Sequence, residues 1–212
     1  MHLEAMRRNF AARSLDLTDL KPDPFAQFDH WMREAIETEV LEPNAMALAT
    51  ANATGHPNLR TVLLKAFDER GLVFYTNYES AKARDIAVNP HVALLLTWLP
   101  LERQVVITGE AAKISTAESL KYFISRPHDS QIGAWASRQS EVITTRSVLE
   151  TKFAEMKAKF MRGEVPLPDH WGGYRVVPAT FEFWQGRPNR MHDRFRYRRD
   201  INDGWDIVRL MP

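Results

Sequence analysis

The order of β-rich runs along the chain is the feature that most limits its possible folds. The runs occur in adjacent groups with helical segments inserted between them, and strands and helices do not alternate regularly. Regular alternation is typical of a doubly wound parallel sheet, whereas runs in direct succession favour antiparallel pairing. The sequence therefore predicts an α+β protein built on an antiparallel split β-barrel with peripheral helices, containing about seven or eight strands.

Turn and capping signals divide the chain into these elements. The predicted strands are 45–51, 60–65, 72–77, 91–98, 102–112, 173–177, 180–184 and a run from residue 197 onward. Gly71 ends a turn that predicts a hairpin between 60–65 and 72–77, and Asp203-Gly204 predicts another. The first predicted helix opens at Asp23-Pro24, has about four turns and is ended by Pro43, and the others are 80–88, 115–125, 129–136 and 147–161.

The first helix shows how strong these local signals are. Asp23 is a good N-cap, and Pro24 suits the first helical turn. Ser115 and Glu118 form a capping-box pattern at the start of a later helix. The apolar residues of the first helix are predicted to share one buried face: Phe25, Phe28, Met32, Ala35 and Ile36.

Length and composition exclude several classes of protein. The chain has 212 residues, which suits one large domain or two small ones, and it has no cysteine for disulfides or thiolate metal sites. Its net charge of +1 does not favour a nucleic-acid partner. Without an apolar run long enough for a membrane or a signal segment, we expect a cytoplasmic protein with no membrane partner. Residues 1–22 are polar and basic, which predicts either a flexible segment or a lid over a ligand.

The common catalytic and nucleotide-binding motifs are absent. The sequence has no G-x-G-x-x-G, no G-x-x-x-x-G-K-[ST], no G-x-S-x-G and no H-E-x-x-H. No metal is therefore predicted. Any phosphate has to be held by side-chain cations and by the ends of strands or helices.

The segment from residue 60 to residue 82 is a candidate anion site. Arg60 and Lys65 bring two cations, Lys82 brings a third, and Ser80 is placed to cap a short helix. Helix N-termini and cations together favour phosphate. On an ideal strand Arg60 and Lys65 point to opposite faces, so they meet one ligand only if the strand bulges or ends near Lys65.

Two further segments carry candidate binding residues. Tyr122, Arg126 and Ser130 recur at every fourth position and converge at a helix end, which suits either a phosphate grip or a capped, solvated terminus. Residues 184–199 are rich in arginine and indicate a basic surface, a nucleic-acid patch or a ligand site. If this segment is extended, the side chains of Arg190, His192 and Arg194 point to one side, and the Trp184 ring supplies an aromatic wall.

These segments resemble the pyridoxine/pyridoxamine 5′-phosphate oxidases, and the resemblance extends from about Arg7 to the C-terminus. The matching pieces are Arg60-Thr-Val-Leu-Leu-Lys65, Leu101-Glu-Arg-Gln-Val105, the run from Lys121 to Trp135, Gly163-Glu-Val-Pro-Leu-Pro168, Trp171-Gly-Gly173, Phe183-Trp-Gln-Gly186 and Arg190-Met-His-Asp-Arg194. The resemblance implies a split-barrel fold and a homodimer with FMN at the subunit interface. It also implies oxidation of pyridoxine or pyridoxamine 5′-phosphate to pyridoxal 5′-phosphate, with oxygen converted to hydrogen peroxide. The alternatives are a related flavin oxidase of another ring compound and a non-catalytic FMN- or pyridoxal-phosphate-binding protein.

The resemblance also assigns the site residues. The residues implied for FMN are Arg60, Thr61, Val62, Leu63, Leu64, Lys65, Tyr75, Thr76, Lys82, Gln104, Gln139, Ser140, Trp184 and Arg194, some of them from the partner chain. The residues implied for the substrate are Arg7, Lys65, Tyr122, Arg126, Ser130, Arg190 and His192. The last two are the implied catalytic residues, which assist loss of the substrate proton.

Two departures from the family pattern bear on these assignments. Ala81 stands where the family often has arginine, so one contact to the FMN phosphate is expected to be missing unless Arg84 replaces it. Phe10 stands where a tyrosine is familiar in the N-terminal lid. The expected organisation is a flexible segment or lid over 1–22 and a single FMN-binding domain over 23–212. Within that domain, the part from about 171 to 212 is expected to complete the active site and the dimer interface.

Overall fold

The computed structural model describes residues 10, 13–161 and 163–212. This part of the chain contains five α-helices and nine strands. The helices are α1 (Pro24–Glu37), α2 (Ala81–Val88), α3 (Thr116–Ser125), α4 (His128–Ala136) and α5 (Arg146–Lys159). The strands are β1 (Ala45–Ala51), β2 (Pro57–Leu63), β3 (Ala66–Asp68), β4 (Gly71–Asn77), β5 (His91–Trp98), β6 (Arg103–Lys113), β7 (Trp171–Gln185), β8 (Asp193–Arg199) and β9 (Trp205–Leu210).

All of these strands join one antiparallel sheet organised around the long strand β7. The order is β2-β1-β5-β6-β7-β4-β3, with β8 paired to β7 and β9 to β8. The first part of β7 pairs with β4, and its last part pairs with β8. Twisted strands that change partners in this way curl the sheet into a half-barrel. The predicted α+β class with an antiparallel split barrel is confirmed.

The hairpin predicted between 60–65 and 72–77 is wrong in its pairing. β2 pairs along its whole length with β1, and the short strand β3 forms the hairpin with β4. The chain leaves β2 at Leu64, whose side chain enters the core, and the Lys65 amide donates to the Val73 carbonyl at 2.9 Å. The strand therefore ends beside Lys65, which is the condition under which Arg60 and Lys65 were expected to share a ligand.

The two strands predicted at 173–177 and 180–184 are one continuous strand. Pro178 lies between them, opposite Gly109, where the pairing register of β6 and β7 shifts. A proline lacks the amide that a regular ladder uses, and an irregular position tolerates that loss. The resulting strand of 15 residues connects the two ends of the molecule.

Helix α1 packs on the inner side of the sheet and closes the main core. The Asp23 side chain accepts a hydrogen bond from the Ala26 amide at 2.8 Å, so the predicted N-cap is confirmed. Trp31 lies edge-on to Phe183 and is 1% exposed. The prediction that Ile36 faces the core is wrong, because it is 58% exposed. It lies at the rim of the apolar face in the last helical turn, and Trp31 lies nearer the centre of that face.

Helices α3, α4 and α5 enclose a second, smaller core over one end of the sheet. Its buried residues are Phe123, Ile132, Ala134, Val165 and Trp171. Trp171 begins β7, so this core is fixed to the sheet beside the end of β4. None of the helices in the described part of the chain is long and apolar enough to cross a membrane.

Candidate active site

A cavity of about 910 Å³ lies where the sheet meets the smaller core. It is bounded by the ends of β2 and β4, the start of α2 and the junction of α3 with α4. Its lining residues are Arg60, Thr61, Val62, Leu63, Lys65, Tyr75, Thr76, Asn77, Ala81, Lys82, Tyr122, Ser125, Arg126, Pro127, Ser130, Gly133, Ala134, Ser137, Gln139, Ser140 and Trp171. Cations and hydroxyl groups thus face one shared space.

Lys82 is the buried cation of this cavity and is 6% exposed. Its Nζ donates to Gln139 Oε1 at 2.7 Å, to Thr76 Oγ1 at 3.1 Å and to Ser80 Oγ at 3.3 Å. All three partners are neutral oxygens. Burial, reinforced by the positive charge of Arg60, lowers the pKa of Lys82 to about 8. The site therefore holds a positive charge that an anionic ligand would stabilise.

The start of α2 supplies further donors toward the same end of the cavity. Ser80 is the N-cap residue as predicted, but its side chain makes no capping hydrogen bond and accepts from Lys82 instead. The Ala81 amide donates to Ser140 Oγ at 3.2 Å. Arg84 does not line the cavity and donates to the Glu79 carbonyl. In this conformation it supplies no cation in place of the family's arginine.

Arg60 is held beside Lys82 by a buried polar network. Its Nη1 donates to Thr50 Oγ1 at 2.7 Å and to the Leu48 carbonyl at 3.1 Å. Thr50 in turn donates to Asp85 Oδ2 at 2.7 Å, and the second guanidinium nitrogen of Arg60 lies 3.9 Å from that oxygen. Burial lowers the pKa of Arg60. The network fixes the guanidinium near the start of α2.

A second group of donors lies at the junction of α3 and α4. Pro127 separates the two helices, and Tyr122, Arg126 and Ser130 all line the cavity there, as their spacing predicted. Nη1 of Arg126 is buried and has no hydrogen-bond partner in the described part of the chain. Burial lowers the pKa of Arg126. A buried guanidinium with a spare donor is suited to bind an anion.

Three aromatic rings stack nearly parallel to one another beside Arg126. Tyr75 stacks on Tyr122 with ring centroids 3.9 Å apart and an interplanar angle of 19°. Trp171 continues the stack at 5.5 Å from Tyr75. The guanidinium carbon of Arg126 lies 4.6 Å from the centre of the Trp171 ring. The parallel stack thus fixes the Trp171 ring beside the Arg126 guanidinium.

Five of the predicted site residues outside the cavity form a separate group, the C-terminal cluster, composed of Gln104, Trp184, Arg190, His192 and Arg194. Gln104 pairs with Trp184 across β6 and β7, and Trp184 pairs with Arg194 across β7 and β8, so the three lie in one row. Glu182 Oε1 accepts from two nitrogens of Arg194, at 2.6 and 2.9 Å.

Residues 190–194 do not meet the condition of an extended segment on which the expected alternation depended. Pro188–Arg190 is a short 3₁₀ turn, and β8 begins only at Asp193. Asn189 and Arg190 have φ values of 57° and 63°, in the left-handed region. The alternation that was expected to align Arg190, His192 and Arg194 therefore does not apply. His192 instead lies over Trp184, with ring centroids 4.5 Å apart.

The His192 ring is held by its surroundings. The Arg187 amide donates to His192 Nδ1 at 3.1 Å. Phe10 lies edge-on to His192 and to Trp184, with centroids 5.7 Å from each. Phe10 therefore lies beside the cluster where the family resemblance places a lid residue. Arg7 lies outside the described residues.

The cavity and the C-terminal cluster lie at opposite ends of one strand. Trp184 follows Trp171 by thirteen residues on β7. At a rise of ~3.3 Å per residue this corresponds to about 40 Å along the strand. Of the other predicted site residues, Leu64 is buried in the main core and does not line the cavity. One chain therefore does not bring all the predicted site residues to one small ligand.

Sequence reasoning missed several cavity residues, of which Trp171 is the largest. The others are Asn77, Ala81, Ser125, Pro127, Gly133, Ala134 and Ser137. A tryptophan at a strand start resembles a core residue, and only the two glycines after it were a signal. A Cβ on Gly172 would lie 2.2 Å from the Tyr78 hydroxyl, and one on Gly173 would lie 2.5 Å from Ile114 Cδ1. Within the described residues, no group of three His, Asp or Glu side chains is placed to hold a metal.

Comparisons with known proteins agree along the whole chain. The family model described as "Pyridoxamine 5′-phosphate oxidase" matches residues 32–160, and "Pyridoxine 5′-phosphate oxidase C-terminal dimerisation region" matches residues 171–212. The pyridoxine/pyridoxamine 5′-phosphate oxidase of Rippkaea orientalis is 59% identical over 212 residues, covering 100% of both chains. That of Crocosphaera subtropica is 60% identical over 214 residues, again covering 100% of both.

Two solved structures share the fold. PhzG from Burkholderia lata 383, in complex with tetrahydrophenazine-1-carboxylic acid, has a TM-score of 0.87 and 32% identity, covering 92% of this chain and 95% of that one. A pyridoxamine 5′-phosphate oxidase-related, FMN binding protein from Nostoc punctiforme has a TM-score of 0.71 at 16% identity, covering 91% and 100%. The second similarity supports the fold alone.

Proposed function

The chain belongs to the pyridoxamine 5′-phosphate oxidase family, and we propose that it oxidises pyridoxine and pyridoxamine 5′-phosphate to pyridoxal 5′-phosphate. The observation that carries this proposal is the presence of two separate anion-binding groups in one cavity. Lys82 and Arg60 form the first with the start of α2, and Arg126 forms the second with Tyr122 and Ser130. A phosphorylated cofactor and a phosphorylated substrate need two such groups.

The first group fits the phosphate of FMN. Lys82 is buried among neutral oxygens, so a phosphate would supply the negative charge that this lysine lacks. The helix start and Ser140 add hydrogen-bond donors. Bound FMN would supply the redox chemistry, taking two electrons from the substrate and passing them to oxygen to give hydrogen peroxide.

The second group fits the phosphate of the substrate. Arg126 offers its unpartnered Nη1, and the hydroxyls of Tyr122 and Ser130 lie around the same space. Lys65 lines the same cavity. Anchoring the phosphate fixes the orientation of the pyridine ring, and with it the exocyclic carbon, which loses a hydride equivalent while its oxygen or nitrogen loses a proton. With the amine substrate, water replaces the nitrogen, which leaves as ammonia.

The C-terminal cluster would complete the site from a second copy of the chain. Its distance from the cavity along β7 supports this arrangement, as does the match of residues 171–212 to a dimerisation region. The outer face of the sheet offers a surface for such a copy, since Leu59 and Leu63 on β2 are exposed there beside alanines of β1. FMN would be contacted by Gln104, Trp184 and Arg194 of that copy. The substrate ring would face Arg190 and His192, which would assist loss of the substrate proton.

Mixing two inactive variants tests whether the site is shared between subunits. Lys82→Met disables the cavity, and Arg194→Met disables the C-terminal cluster, so each homodimer is expected to be inactive. Random reassociation of equal amounts places one intact site in each mixed dimer and restores about a quarter of the wild-type activity. Copies of the two variants with different affinity tags give the control for exchange, since only a mixed dimer is retained by both affinity columns. Complete exchange without recovered activity would show that both groups act within one subunit.

An aerobic assay tests the reaction itself. Purified protein with FMN and pyridoxine 5′-phosphate is expected to form pyridoxal 5′-phosphate and hydrogen peroxide in equal amounts. A protein that binds FMN and forms neither product would contradict the proposed reaction and leave a binding role. Pyridoxine without phosphate is the matched control, since the second anion-binding group would then have no ligand.

The similarity to PhzG supplies a second candidate function, oxidation of a larger ring compound. The identity to that protein is 32%, whereas the relatives named pyridoxine/pyridoxamine 5′-phosphate oxidase are 59 and 60% identical. Turnover of a reduced phenazine carboxylic acid in preference to pyridoxine 5′-phosphate would favour this second candidate.

A further inference from the structure

Arg126 combines a fixed backbone with an unpaired side chain. Its amide donates to the Phe123 carbonyl at 3.2 Å, and its own carbonyl accepts from Gln131 Nε2 at 2.9 Å. Its buried Nη1 has no partner in the described part of the chain. Since no hydrogen bond from the described residues holds Nη1, another contact has to set the orientation of the guanidinium.

Trp171 provides that contact. The guanidinium carbon lies 4.6 Å from the Trp171 ring and 5.8 Å from the Phe123 ring. A guanidinium over an indole face is the strongest of the ordinary cation–π pairs, and the attraction increases where water is excluded. The contact holds the charge and uses none of its N–H donors.

The Trp171 ring is itself rigid. It lies nearly parallel to Tyr75 and Tyr122, with interplanar angles of 11° and 9°. Phe123 packs against it edge-on at 5.2 Å. The Trp171 amide donates to the Pro168 carbonyl at 3.0 Å, and the glycine that follows has no space for a side chain. A ring fixed from several directions can act as a platform.

We propose that Trp171 is the positioning residue for Arg126, holding its guanidinium so that Nη1 faces the substrate phosphate. This inference rests on the proposed function, since it takes the second anion-binding group as the substrate phosphate site. It makes Trp171 a determinant of specificity for phosphorylated substrates. FMN binding is not expected to depend on it, because Lys82 and Arg60 hold that phosphate.

Trp171→Leu and Trp171→Phe in the FMN-loaded protein test the proposal. Removing the platform is expected to raise the KM for pyridoxine 5′-phosphate and the Kd for pyridoxal 5′-phosphate by about 5- to 30-fold. We expect the Kd of FMN to stay within about twofold and kcat to change less than KM, since Tyr122 and Ser130 remain to orient the substrate phosphate. Trp171→Phe is expected to lie between Leu and wild type, because phenyl rings attract cations less than indoles do.

A double-mutant cycle separates positioning from general packing. In an Arg126→Met background, Trp171→Leu is expected to have no further effect on the Kd of pyridoxal 5′-phosphate. Trp135→Leu is the matched control, since it removes an indole from the same smaller core without contacting Arg126. The same loss of affinity with and without Arg126, an unchanged KM, or a parallel loss of FMN would each overturn the proposal.

Two provisions keep the test decisive. If Trp171→Leu does not fold, the milder Trp171→Phe replaces it. The Kd of pyridoxal 5′-phosphate is then measured for Trp171→Phe with and without Arg126→Met. If the wild type binds pyridoxal 5′-phosphate but does not oxidise pyridoxine 5′-phosphate, the proposed function fails while the binding cycle still decides the role of Trp171.

Discussion

Replacing Lys82 with methionine is expected to stabilise the ligand-free protein while weakening FMN binding by roughly 100-fold. Burial and Arg60 lower the pKa of Lys82 to about 8, so keeping it charged at pH 7 costs the folded state up to about 3 kcal/mol. Methionine removes that cost and keeps most of the volume. Gln139 loses a hydrogen bond in the exchange, which offsets part of the gain.

The lowered pKa of Lys82 also makes the stability of the ligand-free protein and its affinity for FMN depend on pH. An unfolded lysine has a pKa near 10.5, so between pH 8 and about 10.5 the unfolded state binds more protons than the folded state. The stability of the ligand-free wild type is therefore expected to rise with pH across this window. FMN binding needs the charged lysine, so FMN affinity is expected to fall above pH 8, by up to about tenfold per pH unit.

Calorimetric unfolding of the ligand-free protein at pH 7 and 9.5, with fluorescence titration of FMN, measures these effects. Lys82→Met is expected to remove the pH dependence contributed by this residue from both quantities. Lys121→Met is the control, because Lys121 is exposed on α3 and does not line the cavity. A variant that unfolds at a lower temperature than wild type at pH 7 would contradict the assignment of Lys82 as a destabilising, functional charge.

Local signals in the sequence predicted the elements of this fold better than their pairing. The caps at Asp23 and Ser115 depend on neighbouring residues only, and both are present. The partner of β2 depended on a choice between two turns, at 52–55 and 68–71, that are equally good in sequence. In the structure β2 pairs with β1, and Leu64, which follows β2, is buried in the main core.

In the candidate site too, features set by neighbouring residues could be predicted, and features set by residues remote in sequence could not. The convergence of Tyr122, Arg126 and Ser130 followed from helical spacing and a proline. The left-handed conformation of Arg190 did not follow from its residue type, since non-glycine residues seldom adopt it. Trp171 was missed because its role comes from rings contributed by β4 and α3, which are remote in sequence. The separation of the cavity from the C-terminal cluster could not be predicted, because it depends on β7 being one continuous strand.

The second large effect is expected at His192. Under the proposed function, His192→Ala lowers kcat/KM for pyridoxine 5′-phosphate by roughly 100- to 1000-fold. FMN is expected to remain bound, because the cations of the cavity are unchanged. The reason for the loss lies in the ring's hydrogen bonds. His192 Nδ1 accepts from the Arg187 amide at 3.1 Å, so the neutral ring carries its proton on Nε2.

A ring in that tautomer assists proton loss by donating a hydrogen bond, since Nδ1 is engaged and Nε2 already holds its proton. Donation from Nε2 stabilises negative charge on the substrate as the proton leaves. His192→Gln is then expected to retain more activity than His192→Asn or His192→Ala, because only the longer amide reaches the position of Nε2. Nitrogen-15 chemical shifts of His192 in the FMN-loaded protein report the tautomer independently of turnover. A proton on Nδ1, or a glutamine variant as slow as the alanine variant, would instead indicate that the ring accepts the substrate's proton.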